Sequence, residues 1–138
     1  MIEVEPRLDI LVIDDSDGDR LITGVVLERS QLSNPVVMLD SAEAAIAYLR
    51  KLAADGRPPP ALVMLDVNMV GLTGFDVLTF IRSHDAFVEF PVVAMLTSSD
   101  SDKDKERAST LRADAFMVKK NGISAFVEMI DANFRNRE

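Results

Sequence analysis

The chain has 138 residues, 48% of them hydrophobic, which is enough for one domain with a continuous buried core. A formal net charge of -8 argues against a nucleic-acid surface, because phosphate binding needs clustered Lys and Arg. No apolar run approaches the roughly 20 residues that cross a bilayer, no basic flank of a secretion signal opens the chain, and no Cys offers a disulfide. We therefore expect one cytoplasmic domain over residues 1–138, with its core at about 8–135 and no nucleic-acid or membrane partner.

Five short apolar runs, rich in β-branched residues, predict five strands. Several runs are almost continuously apolar, which indicates parallel strands that helices cover on both faces. In chain order the predicted strands are residues 8–13, 35–39, 61–65, 91–96 and 115–118.

Segments with apolar residues at helical spacing lie between these runs and after the last one, and they predict five helices. Ser16 with Asp19 is a plausible capping box for the first helix. The predicted helices are about 18–30, a segment after Ser41, a segment after Gly74, about 101–111, and a segment from Gly122 or Ile123 to Phe134.

The fourth predicted helix differs from the others in its composition. Residues 102–107 are all charged, so that Ala108 and Leu111 are its only obvious core anchors. We expect this helix to be weakly held.

Strict alternation of strand and helix predicts the α/β class: a five-stranded, doubly wound parallel sheet with five helices, in the flavodoxin-like order. In such sheets ligands bind at the carboxyl ends of the strands. The residues that end the predicted strands are Asp14 and Asp15 for the first, Asp66 for the third, Thr97 and Ser98 for the fourth, and Lys119 and Lys120 for the fifth.

These strand ends bring acids, a hydroxyl and an amine to one edge of the predicted sheet. Three neighbouring carboxylates repel one another unless a cation relieves the repulsion, and a site with oxygen ligands alone favours Mg²⁺. A carboxylate can attack phosphorus to give an acyl phosphate, while a metal, Lys and Thr bind the phosphoryl oxygens. Taken singly, each acid is more often a helix cap or a solvated loop residue. It is their convergence that favours function.

The constellation resembles the receiver domains of response regulators in two-component signalling, and the resemblance covers nearly the whole chain. Asp14-Asp15 matches the acidic pair of that family, and Asp66-Val67-Asn68-Met69 its phosphoacceptor segment. The remaining matches are Thr97 for the family's hydroxyl, Lys119 for its amine and Phe116 for its switch aromatic.

The resemblance implies how such a site works. Asp66 accepts a phosphoryl group from a sensor histidine kinase or a histidine phosphotransfer protein. Mg²⁺ is ligated by Asp15, Asp66 and the Asn68 backbone carbonyl, with Asp14 acting through water. The phosphoryl oxygens are bound by Thr97 and Lys119.

The family's switching scheme adds an output to this chemistry. After phosphorylation Thr97 moves toward the phosphoryl group, Phe116 turns inward, and the face of the fourth helix, fifth strand and fifth helix changes. The resemblance thus implies a single-domain switch without an output domain, and not an enzyme beyond its own phosphorylation and slow dephosphorylation.

Three positions depart from the family pattern. Lys120 stands where the family has a Pro after its Lys, which also leaves Lys120 as an alternative to Lys119. Val70 and Thr73 replace a common Pro and a common acid in the loop after Asp66. The alternative function is therefore a receiver-like interaction module that does not cycle phosphate.

Two features concern a subgroup and a partner surface. The stretch 83–90 resembles receivers associated with bacterial phytochromes, some of which dimerise through the fourth-helix, fifth-strand and fifth-helix face. The fifth predicted helix also carries Ala125, Met129 and Ala132 beside its core stripe, a patch suited to a partner or a second copy. A quiet, Ala-rich surface is the plainer interpretation.

Overall fold

In the computed structural model of the chain, the described residues are 8–88, 91–98 and 101–137, with side chains described for all of them except Asn121 and 131–137. The five predicted strands and five predicted helices are present and alternate along the chain. They are β1 (Ile10–Ile13), α1 (Asp17–Arg29), β2 (Val36–Leu39), α2 (Ala42–Ala54), β3 (Leu62–Asp66), α3 (Gly74–Ser83), β4 (Val92–Thr97), α4 (Asp102–Thr110), β5 (Ala115–Val118) and α5 (Lys119–Arg137).

The strands form one parallel sheet in the order β2-β1-β3-β4-β5. This order confirms the predicted doubly wound, flavodoxin-like fold. Because the order reverses between β1 and β3, the loops that follow these two strands separate and leave a crevice at their carboxyl ends. Ile13 pairs with Leu65 across this junction. The acids that follow β1 therefore lie beside the acid that ends β3.

Successive strand residues feed two apolar cores, one on each face of the sheet. Leu11 and Ile13 join the core formed with α2 and α3, whereas Ile10 and Val12 join the core formed with α1 and α5. Both cores hold the central strands fully buried. The carboxyl edge of β1 and β3 is thus fixed from both sides, which gives the side chains there a rigid platform.

The predicted capping box of α1 is only half formed. Ser16 Oγ accepts the Asp19 N–H at 3.2 Å, as a cap does. The return bond is absent, because the Ser16 N–H donates to Asp14 Oδ1 at 3.0 Å. The side chain of Asp19 is therefore available for another partner.

Helix α5 begins at Lys119, earlier than the predicted start at Gly122 or Ile123. Gly122 explains the difference, since a Cβ on it would fall 2.7 Å from Met117 Cβ. The missing side chain lets the first turn of α5 pack directly on β5. The core stripe of α5 consists of apolar residues at helical spacing and is buried at Ile123, Phe126, Val127 and Ile130. The side chains of Phe134 and Ala132 lie outside those that are described.

Helix α4 has little apolar contact with the rest of the protein. Within its nine residues only Ala108 is buried, and Leu111 at its C-cap is half-buried. The predicted pair of anchors is confirmed.

None of the described helices has the length and the continuous apolar surface that a membrane-spanning helix requires.

Candidate functional site

Three carboxylates meet where β1 and β3 end. Asp14, Asp15 and Asp66 each place an oxygen within 4.8 Å of the others. Asp14 and Asp66 are only 1% and 2% exposed, whereas Asp15 faces solvent. The predicted convergence of the strand ends therefore exists, and two of its three acids are out of reach of bulk water.

One ammonium group lies among these acids. Lys119 Nζ is 2.7 Å from Asp14 Oδ2 and 3.3 Å from Asp66 Oδ1. Lys119 is the first residue of α5, and its side chain is 12% exposed. Lys120, the alternative amine, is exposed. The structure thus brings Lys119 to the acids.

Burial and neighbouring charges both change the pKa of Asp66, the candidate phosphoryl acceptor. Burial, together with the charge of Asp14, raises the pKa of Asp66 to about 6, although Lys119 and the Asn68 N–H partly oppose this rise. Burial also lowers the pKa of Lys119, but its hydrogen bonds to Asp14 and Asp19 and the charge of Asp66 outweigh burial and raise that pKa. Asp66 is therefore ionised at neutral pH in an unfavourable setting that a second cation would relieve.

Backbone donors fix two of the acids. Asp14 Oδ1 accepts the Ser16 N–H at 3.0 Å, and Asp15 Oδ2 accepts the Val70 N–H at 3.1 Å. The second bond ties the loop after β3 to the acidic pair after β1. A set of oxygen donors at this spacing suits a hard divalent cation. The donor set therefore supports divalent metal binding.

Thr97 and Phe116 lie on the neighbouring strands. Asp66 pairs with Leu96, so that Thr97 is one residue beyond the partner of Asp66 and is fully buried at the same edge of the sheet. Phe116 is half-buried in β5 and packs on the core that also contains Ala108 of α4. Thr97 thus lies on the strand next to Asp66, and Phe116 lies one strand further along the sheet.

Residues 10–131 match the family model described as the response regulator receiver domain. The chain belongs to the receiver domain family. Members of this family are generally signalling switches in two-component systems, which implies contact with kinases or phosphotransfer proteins.

This receiver is similar in sequence and in structure to the response regulator Rcp1. It is 27% identical over 129 residues to the response regulator Rcp1 of Synechocystis sp., covering 93% of this chain and 87% of Rcp1. The crystal structure of Mn²⁺-bound Rcp1 superposes with a TM-score of 0.75 at 25% identity, covering 91% of this chain and 90% of that one.

Two further solved structures are phytochrome response regulators. The bacteriophytochrome response regulator RtBRR gives a TM-score of 0.78 at 33% identity, covering 90% of this chain and 76% of that one. The phosphorylated cyanobacterial phytochrome response regulator RcpA gives 0.75 at 25% identity, covering 92% and 91%. These findings support the predicted likeness to phytochrome-associated receivers, although Glu89 and Phe90 of the stretch that suggested it lie outside the described residues.

The receiver's loop after β3 tolerates its departures from the family pattern. Thr73 caps α3, with its N–H donating to Asp76 Oδ2 at 2.7 Å. Val70 is 86% exposed and contributes its backbone N–H rather than its side chain to the site. Gly71 has a φ of 86°, which suits Gly, and it lies between these two residues. The loop keeps a defined shape.

Two polar residues of α1 complete the surroundings and were not predicted as site residues. Arg20 Nη1 donates to the Asp14 backbone oxygen at 2.6 Å, and Arg20 also pairs with Asp17. Asp19 Oδ2 lies 2.8 Å from Lys119 Nζ. The only sequence signal for them is their place in the first turn after the acidic pair.

Proposed function

We propose that this receiver is a phosphorylation switch in which Asp66 accepts a phosphoryl group from a phosphohistidine in a Mg²⁺-dependent reaction. The observation that carries the proposal is the buried Asp66 carboxylate, held among Asp14, Asp15 and Lys119. In this proposal residues 1–138 act as one cytoplasmic receiver, and the donor is a sensor histidine kinase or a histidine phosphotransfer protein. Because the solved neighbours include phytochrome response regulators, a phytochrome-type kinase is the donor to test first.

The covalent step is a transfer between two nucleophiles. An Asp66 carboxylate oxygen attacks phosphorus, the P–O bond forms as the P–N bond of the donor breaks, and the imidazole leaves with the electron pair of that bond. The site favours this step because the Asp66 carboxylate lies beside the Lys119 ammonium, whose charge stabilises the oxygens that carry negative charge during the transfer. Asp66 is therefore the only nucleophile that the receiver contributes to the transfer.

The surrounding residues receive the transferred charge. Lys119 moves from Asp66 Oδ1, now 3.3 Å away, to a phosphoryl oxygen, and the Thr97 hydroxyl donates to another. Asp15, the Asp66 carboxylate and the Asn68 carbonyl would hold Mg²⁺, with Asp14 acting through water, and the bound ion would neutralise phosphoryl oxygens. Asp14 and Asp15 are already oriented by backbone donors.

The output follows from the position of Thr97 and Phe116. Movement of Thr97 toward the phosphoryl group frees space beside β4, and Phe116 turns into it from β5. Helix α4 responds because only Ala108 and the half-buried Leu111 at its C-cap attach it to the core, so a modest change in interaction energy shifts its population. The α4, β5 and α5 face is the proposed contact surface for a target or a second copy. On α5, Ala125 is exposed and Met129 is 40% exposed.

The rival function is a receiver-like interaction module that does not cycle phosphate. Lys120 in place of the family's Pro is the feature that favours it. The intact group of Asp14, Asp15, Asp66, Thr97 and Lys119 argues against it.

Calorimetric titration with beryllofluoride, an analogue of the phosphoryl group, separates the two functions. We expect binding to the wild type only in the presence of Mg²⁺, and none to Asp66→Ala. Asp85→Asn, which removes an exposed carboxylate in the segment after α3, is the matched control and should bind as the wild type does. A wild type that binds no beryllofluoride with Mg²⁺ present would favour the interaction module.

A further inference from the structure

Asp19 occupies the acidic position of a capping box with Ser16, but in the fold its carboxylate contacts Lys119 instead of the cap. Its N–H is bonded to Ser16 Oγ at 3.2 Å, while its carboxylate extends to Lys119, 100 residues along the chain, with Oδ2 at 2.8 Å from Nζ. The capping bond that this carboxylate would accept goes to Asp14 instead. The contact therefore joins the first turn of α1 to the first residue of α5.

The contact determines where the ammonium of Lys119 points. An ammonium has three N–H donors. One N–H of Lys119 donates to Asp19 Oδ2 at 2.8 Å, whereas Asp14 Oδ2 forms a close ion pair with Nζ at 2.7 Å and Asp66 Oδ1 lies at 3.3 Å. The two shorter contacts hold the ammonium, and Asp66 is the most distant of the three acids.

The start of α5 at Lys119 explains why the Lys119 side chain needs a contact with Asp19. Lys119 opens α5 immediately after β5, and the next residue is Lys120 where the family has Pro. The ammonium therefore reaches the acids from a helix terminus rather than from a Pro-shaped loop. An acid on the facing helix α1 supplies an anchor for the side chain.

We propose that Asp19 is a positioning residue that shares the Lys119 ammonium with Asp14 and thereby keeps it from closing on Asp66, a role that rests on the proposed function of the site. A carboxylate tightly paired with Lys119 is a weaker nucleophile. By holding Nζ at 3.3 Å from Asp66 Oδ1, Asp19 leaves the Asp66 carboxylate able to attack and aims one N–H where the phosphoryl oxygen arrives.

A purely structural role fits Asp19 less well. Its side chain is 36% exposed, and ion pairs at such positions contribute little to stability because water screens them. Asp17, two residues earlier in α1, gives a matched comparison because its carboxylate is 95% exposed and pairs with Arg20 rather than Lys119. Removing either acid changes the net charge equally.

The first experiment observes the environment of the Lys119 ammonium by NMR and does not depend on phosphorylation. Spectra of ¹⁵N-labelled lysine ammonium groups would be recorded for the wild type, Asp19→Ala and Asp17→Ala, with the Lys119 signal assigned by its loss in Lys119→Met. We expect the Lys119 signal to shift in Asp19→Ala and to stay in place in Asp17→Ala. An unshifted signal in Asp19→Ala would overturn the proposal.

The second arm reads the reaction, with acetyl phosphate and Mg²⁺ as the probe and intact mass as the readout. Misplacing a catalytic group by about 1 Å can lower a rate about 100-fold, so we expect Asp19→Ala, which removes one of the contacts that hold Lys119, to slow phosphorylation about tenfold. Asp19→Asn keeps an acceptor oxygen and should recover most of the rate. Asp17→Ala should match the wild type.

A double-mutant cycle decides whether Asp19 acts through Lys119. In the Lys119→Met background, followed over longer incubations, Asp19→Ala should cause no further slowing. Equal slowing in both backgrounds, or no slowing in either, would overturn the proposal while leaving the acceptor role of Asp66 intact. A wild type that takes no phosphoryl group would instead overturn the proposed function, and the reaction role of Asp19 with it.

Discussion

Gly74 lies directly against the backbone of Asp66. A Cβ on Gly74 would fall 2.2 Å from the Asp66 carbonyl oxygen, closer than a side chain can approach. The Gly74 N–H also donates to the Val67 oxygen at 3.1 Å. The first turn of α3 therefore rests on the segment that presents the Asp66 carboxylate, and any side chain at position 74 must displace that segment.

We predict that Gly74→Ala lowers the stability of the fold. Because the clash is with backbone, the free energy of unfolding should fall by about 2 kcal/mol or more. Gly18→Ala is the control, since the nearest atom to a Cβ there is 4.0 Å away and Ala suits a helix better by up to about 1 kcal/mol. Urea unfolding measures both variants. A Gly74→Ala variant as stable as the wild type would contradict the close approach.

The raised pKa of Asp66 predicts an unusual pH dependence of stability. The folded pKa of about 6 lies above the ordinary value of 3.8, so between these values the folded protein holds a proton that the unfolded chain releases. This carboxyl therefore destabilises the fold above pH 6, and the penalty disappears as the pH falls toward 4.

Asp66→Asn tests that dependence with metal removed by a chelator. At pH 7.5 its free energy of unfolding should exceed that of the wild type by roughly 2 kcal/mol, and the excess should shrink as the pH falls below 6. Asp85→Asn should show neither effect. Finding Asp66→Asn less stable than the wild type at pH 7.5 would mean that the Asp66 charge is not under repulsion.

A buried guanidinium holds the opposite edge of the sheet. Arg82 is 8% exposed and donates to the Pro91 and Arg112 oxygens, each at 3.0 Å, and to Asp114 Oδ2 at 2.8 Å. Asp114 also accepts the Val93 N–H at 2.8 Å. This network joins the end of α3 to the start of β4 and to the segment between α4 and β5.

We predict that Arg82→Lys lowers the free energy of unfolding by about 2 to 3 kcal/mol, because an ammonium cannot span three divergent acceptors and leaves some of them unpaired. Arg29→Lys, at an exposed helix end, should change it by less than about 0.5 kcal/mol. Urea unfolding distinguishes these outcomes. Equal stability of Arg82→Lys and the wild type would contradict the importance of the network.

Helix α4 should open more readily than α3. Only Ala108 is buried within α4, whereas α3 buries Phe75, Val77, Leu78 and Ile81 among others. We therefore expect the amide hydrogens of α4 to exchange faster than those of α3, and to slow when beryllofluoride binds with Mg²⁺. Hydrogen exchange followed by mass spectrometry measures both. Protection of α4 equal to that of α3, unchanged by the analogue, would contradict its role as the moving element.

The sequence predicts those features that depend on local pattern. Continuous apolar runs predict buried parallel strands, and the strand ends then predict the meeting of Asp14, Asp15, Asp66 and Lys119. The early start of α5 was missed because no capping residue marks it. It depends on the contact between Gly122 and Met117, which only the packed helix reveals.

Contacts between distant residues explain the rest of what sequence reasoning missed. Asp19 fits a capping box with Ser16, and nothing local indicates a partner 100 residues away. No local pattern indicates that Arg82 is buried beside Asp114 either, because its partners lie in segments that follow it by many residues. Both acquire their role from tertiary neighbours.

The central claim is that Asp66 accepts phosphate with the help of a divalent cation, and intact-mass spectrometry after incubation with acetyl phosphate tests it most directly. Wild type, Asp66→Ala and the exposed-site control Asp85→Asn would be compared with Mg²⁺ and with a chelator. We predict a single phosphoryl adduct on the wild type and Asp85→Asn, dependent on Mg²⁺ and absent from Asp66→Ala. An adduct that persists on Asp66→Ala, or no adduct on the wild type, would contradict the claim.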